Sequence, residues 1–108
     1  MSAGAKDWFR QRASAVLLIP LSAWFLWAGV SLAGADYATT KAFFGQPLNA
    51  AAAVLLAVIG LFHTQRGADA IISDYVPGEG FQKLLVLVSK VGCTIGALVV
   101  IWAVVQSF

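Results

Sequence analysis

His63 is the only imidazole in this chain of 108 residues, and it closes an apolar run: positions 42–62, 21 residues, hold neither charge nor imidazole. An ionisable side chain inside a membrane helix is costly and by default marks function. On a wheel of about 100° per residue, Gly60, Gly67 and Ala70 fall within about 60° of it, so small residues clear space on its face. Two readings follow. A flat macrocycle such as haem, whose iron takes an axial imidazole nitrogen, needs such clearance. The same small residues also let a neighbouring helix approach, with His63 hydrogen-bonded across the interface. Ligand counting adds a condition to the first reading: the chain has one histidine and, besides Met1, no methionine. A six-coordinate haem would therefore draw its second axial ligand from another polypeptide.

Other polar residues surround this one. Arg66 lies one turn further along, and Asp69 is three residues beyond it, a spacing at which the two can pair on a helix surface. Arg12 stands directly before an uncharged run. It reads either as a group that reaches an anion such as a haem propionate or as a basic anchor that snorkels to the interface. Asp74 and Tyr75 follow where the polar stretch ends. Each alone is an ordinary interfacial residue. Together, a phenol that stays protonated at neutral pH donates a hydrogen bond to a quinone carbonyl, and a neighbouring carboxylate orients it or relays protons. Lys90 reads as a snorkelling side chain, and "GCTIG" at 92–96 as a small-residue motif for close helix packing. No nucleophile–base pair, metal cluster, P-loop or dinucleotide fingerprint is present, which points away from a self-contained enzyme.

Long apolar elements must carry these residues. The chain is 60% hydrophobic and 11% charged, with mean hydropathy +0.84, whereas soluble domains average about 25% charged residues. Between Arg12 and Asp36 lie 23 uncharged residues, and Leu84 to Val105 is broken only by Lys90. Roughly 20 apolar residues cross the hydrocarbon layer as a helix, and no alternating barrel-strand pattern occurs. The expectation is an all-α integral membrane protein forming one domain over 1–108, with three transmembrane helices at about 13–32, 47–73 and 81–105. Residues 1–12, with Trp8 and Phe9 among basic side chains, read as an interfacial segment. Residues 33–46 read as a loop, Pro47 as the first turn of helix two, and "PGEG" at 77–80 as a turn.

A secretory signal peptide is set aside because the first apolar stretch is long and carries Trp24 and Trp27. Cys93 is the one cysteine, so no intrachain disulfide forms. Lys6, Arg10, Arg12, Arg66 and Lys83 flank one side of the spans and Lys41 the other. The positive-inside rule then puts the N-terminus and the 74–80 turn in the cytoplasm and Phe108 on the opposite side. A net charge of +2 calls for no nucleic acid.

A histidine in the second of three spans, ten intervening residues and then Asp-Tyr is a pattern this chain shares with a known family. His63, Asp74 and Tyr75 keep that spacing, and "RASAVLLIP" at 12–20 is similar to the family's opening of helix one. By these features the chain resembles the small hydrophobic membrane anchor of succinate dehydrogenase, respiratory complex II. The resemblance implies that His63 is an axial ligand of a haem b shared with a second membrane anchor subunit. It also implies that Tyr75 hydrogen-bonds ubiquinone with Asp74 beside it, and that Arg12 sits near the haem propionates. FAD and the iron–sulfur clusters would belong to a flavoprotein subunit and an iron–sulfur subunit, both seated on the cytoplasmic face of a bacterial inner membrane. Two alternatives stay open. One is the anchor of a related fumarate reductase, and the other a small self-associating transporter or pore subunit whose polar path is lined by His63, Arg66, Asp69 and Lys90.

Overall fold

The computed structural model describes residues 2–108 and contains four helices and no strand among them: α1 (Ala3–Ser31), α2 (Tyr37–Phe44), α3 (Pro47–Tyr75) and α4 (Glu79–Val105). α1, α3 and α4 are each long and apolar enough to cross a membrane, as the three apolar runs predict. Helix α3 is the middle member and packs against α1 on one side and α4 on the other.

The helix ends follow local chemistry, and some fall elsewhere than expected. α1 begins at Ala3, where Ser2 Oγ accepts from the Ala5 amide at 3.2 Å. No break separates an interfacial segment from a span, because the run from Ala5 to Ile19 contains no glycine or proline to end a helix once it is capped. Pro20 lies inside α1, where the lost backbone bond is tolerated more readily than in water-soluble helices. The 33–46 stretch is not all loop: Asp36 caps α2, its Oδ1 accepting from the Thr39 amide at 2.8 Å. Pro47 occupies the first turn of α3 as expected. α3 reaches Tyr75 and stops because Val76, at φ −95° and ψ 120°, precedes Pro77 and is driven into extended backbone. Gly78, at φ +88°, takes the conformation that favours glycine. α4 then starts at Glu79 rather than near Phe81. Glu79 complements the helix dipole and pairs with Lys83 at 3.2 Å. Gln82 Nε2 donates to the Val76 carbonyl and so ties this turn together.

Among the described residues only Ser14, Ala28, Ala50 and Val104 are buried. Three of these four are small, as expected where helices approach in lipid by close contact rather than by expulsion of water. Gly96 illustrates this, since a Cβ there would sit 3.3 Å from Leu61 Cδ1 of α3. Gly92, the other glycine of the motif, meets nothing within 4 Å. At the α2 end, Phe43 stacks on Trp24 with ring centres 6.3 Å apart and meets Trp27 at 5.8 Å. Asn49 bridges α2 and α3 by donating to the Phe43 carbonyl at 3.1 Å. The molecule is 49 Å long against roughly 30 Å of hydrocarbon, so its ends emerge into the headgroup layers.

Two outcomes test this arrangement. A Cβ on Gly45 would meet the Ser107 carbonyl oxygen at 2.8 Å. Gly45→Ala should therefore displace the C-terminal turn and destabilise the fold by about 1–3 kcal/mol in detergent unfolding, the usual cost of overpacking. The Thr39 hydrogen bonds hold the Asp36 carboxyl below its ordinary value. Its stabilisation is thus present above that ordinary value and is lost as pH falls through the lowered folded one. The Thr39 amide resonance should move in that acid range in the native chain and stay fixed in Asp36→Asn, which keeps an acceptor without a charge.

Candidate functional site

α1 and α3 enclose an open cleft of about 570 Å³ at the end of the bundle that carries the α1 N-terminus, and both His63 and Arg12 line it. Successive turns of the two helices build it. From α1 come Asp7, Gln11 and Arg12, and from α3 His63, Arg66 and Asp69. α1 packs beside Gly60 and Gly67: a Cβ at Gly60 would lie 3.8 Å from Leu18, and one at Gly67 3.9 Å from Gln11. The clearance beside His63 is thus shared. α1 takes the part at Gly60 and Gly67, and Ala70 borders the open part.

His63 is partly buried and makes one side-chain hydrogen bond, between Nδ1 and Ser14 Oγ at 2.9 Å. Ser14 is the buried polar residue of α1. Among the described residues, Nε2 has no protein partner. Arg12 holds its guanidinium 5.4 Å from the centre of the Trp8 ring and has no carboxylate within ion-pair distance among the described residues, so its charge is available to an anion at the cleft mouth.

Arg66 does not pair with Asp69. It bonds Asp7 of α1 at 3.0 Å and lies 5.6 Å from the centre of the Phe62 ring. Across two helices, Asp7 offers a better-placed oxygen than a neighbour on the same surface, and the bridge closes the cleft at one point. Among the described residues, Asp69 Oδ1 and Gln11 Oε1 are instead buried without a partner, two acceptors on the cleft wall that call for a donor from water or a ligand. Sequence reading missed the roles of Asp7, Gln11 and Ser14. The partners of Asp7 and Ser14 lie 59 and 49 residues away in the chain, Gln11 is marked only by an orphaned oxygen that the fold creates, and a serine close behind an arginine resembles any small interface residue.

Asp74 and Tyr75 close α3 and are exposed, Tyr75 to 80% of its area. Neither lines the cleft, which ends at Ser73 on this helix. Along a continuous helix, Tyr75 is about 18 Å from His63. Lys90 lies in different clefts, between α3 and α4 beside Gln65 and along α4. The four residues of the expected polar path are therefore not brought together.

The residues present suit a haem. One imidazole nitrogen is anchored and the other unpartnered, a small residue borders the open space, and a free guanidinium flanks it. The cleft opens outward, in keeping with a second ligand from another chain.

No solved structure matches the chain. Among curated proteins, it is 26% identical over 101 residues to the succinate dehydrogenase hydrophobic membrane anchor subunit of Rickettsia felis, covering 92% of this chain and 84% of the relative. The corresponding protein of Rickettsia typhi is 25% identical over 104 residues, 96% of this chain and 83% of the relative. A family model for the succinate dehydrogenase/fumarate reductase transmembrane subunit matches residues 1–105. With three apolar helices of spanning length, and with this match over nearly its whole length, the chain belongs to the succinate dehydrogenase/fumarate reductase transmembrane subunit family.

Proposed function

We propose that this chain anchors a succinate dehydrogenase in a bacterial inner membrane, contributes one axial ligand to a haem b, and supplies part of a ubiquinone-reduction site. The observation that carries the reading is His63. It stands in the α1–α3 cleft with one ring nitrogen bonded to Ser14 and the other unpartnered, beside an unpaired Arg12. Family membership supports the assignment, and the names of the relatives favour succinate dehydrogenase over fumarate reductase.

When bound, haem b supplies a one-electron redox centre. In this chain, His63 would hold the iron and Arg12 would neutralise a propionate, while the open side of the cleft would receive the second membrane anchor subunit with the other ligand. The Tyr75 hydroxyl donates to a quinone carbonyl, and the Asp74 carboxylate beside it orients that donor or passes a proton. Their exposure fits a site completed by other subunits. The distribution of basic residues supports a cytoplasmic N-terminus and α3–α4 turn. There the iron–sulfur subunit and the flavoprotein, which carry the iron–sulfur clusters and FAD, dock over that end.

The transporter or pore alternative loses its main support, because Lys90 is separated from His63, Arg66 and Asp69.

In the purified complex, His63→Ala should abolish or strongly weaken the reduced-minus-oxidised b-type spectrum. An unchanged spectrum at unchanged stoichiometry would remove His63 as a ligand. Tyr75→Phe should lower quinone reduction roughly tenfold, about one hydrogen bond's worth, while succinate oxidation by an artificial acceptor is retained. Full quinone reductase activity would free Tyr75 of this role.

A further inference from the structure

We infer that Ser14 is a positioning residue that fixes the tautomer and orientation of the His63 imidazole, leaving Nε2 as the nitrogen offered to iron. The inference rests on the haem reading above and goes beyond it to a residue of α1 that makes no contact with the iron.

The assignment comes from proton counting. A serine hydroxyl has one proton to donate and lone pairs that accept. Ser14 Oγ lies 2.9 Å from the Gln11 carbonyl oxygen and 2.9 Å from His63 Nδ1. A carbonyl oxygen only accepts, so the hydroxyl proton is directed along the first contact. This back-bond to the preceding turn is the usual habit of a serine inside a helix. Ser14 Oγ is then left as the acceptor in the second contact, and Nδ1 must carry the proton. A neutral imidazole has one N–H, so Nε2 holds the lone pair, the form a metal takes. Ser14 is only 6% exposed, so bulk water does not compete for the bond. A hydroxyl that is already donating is a polarised acceptor, and an acceptor on the distal N–H makes the ring a stronger electron donor. That favours ferric over ferrous iron.

Two experiments on Ser14→Ala and Ser14→Thr test this. The first is redox titration of the haem in the assembled complex. Ser14→Ala should retain haem 10- to 100-fold less tightly, the usual effect of losing such a partner. The haem that remains should show its midpoint potential raised, by about 59 mV for each tenfold loss of ferric preference in a one-electron couple. Ser14→Thr keeps a hydroxyl able to back-bond and should restore both. The second experiment needs no haem. This chain has a single histidine, so ¹⁵N-histidine labelling of the full chain in detergent reads His63 alone. The Nδ1-protonated tautomer is expected in the native chain and in Ser14→Thr, and a mixture or the opposite tautomer in Ser14→Ala.

An Nε2-protonated ring in the native chain overturns the inference, as does a Ser14→Ala complex with native potential and native tautomer. A native complex that lacks a b-type spectrum instead removes the haem reading on which the inference rests, while the tautomer result still reports on the Ser14 bond. If Ser14→Ala does not assemble, the labelled native and Ser14→Thr chains decide: Nδ1 protonation in both supports it, and its absence in either overturns it.

Discussion

A helix surrounded by hydrocarbon gains almost nothing by hiding apolar side chains from its solvent, and this constraint shapes the whole chain. Only four of the described residues are buried, and three of those are small. What holds α3 between its neighbours is therefore close backbone approach at glycine and alanine, joined by a few polar bonds. Those bonds are spread along the α1–α3 seam. Arg66–Asp7 joins the two helices toward one end, Trp24–Asn49 toward the other, and His63–Ser14 lies between them, near the middle of both helices.

The same constraint explains why the functional side chains fall where they do. A polar group inside the apolar region persists only if another element satisfies it. Ser14 satisfies His63, and the half-exposed Asp7 satisfies Arg66, at a gain of no more than about 1 kcal/mol for such an ion pair. Its contribution is to register, because one fixed contact across two helices sets which residues face the cleft. Asp69 and Gln11 keep unpartnered oxygens on that wall, so the isolated chain is not a finished polar network.

Much of the fold was legible because lipid imposes lengths. Three runs of about 20 residues with few or no charges admit no soluble reading, and Pro47 and the Pro77–Gly80 segment punctuate them. What escaped was local and cooperative. The unbroken α1 depends on a cap at Ser2, and α2 on a cap at Asp36, each a single side chain within a stretch whose composition reads as interface or loop. In the cleft, the imidazole and the guanidinium of Arg12 stand out by residue type. Ser14 does not, since its meaning lies in a bond across 49 residues of sequence. The expected Arg66–Asp69 pair failed for a related reason: helical spacing shows which neighbours can meet, but not whether another helix offers a better oxygen.

One asymmetry links these points to the role of the chain in an assembly. The α1–α3 side is polar, indented and only partly satisfied, whereas α4 is the most apolar span and presents Leu84, Leu87, Val91, Ile95 and Leu98 outward. A chain working alone would have reason to close its polar side, since unpaired acceptors in an apolar layer are costly. Leaving it open is favourable only if another surface completes it. On the proposed reading, the cleft would hold one imidazole where a six-coordinate haem iron needs two axial ligands, and the exposed tyrosine at the end of the same helix would need walls from elsewhere to form a quinone site. Both deficits lie at the α1 N-terminal end and along α3, the helix at the centre of the chain. A partner seated against the α1–α3 side would meet both needs with a single interface.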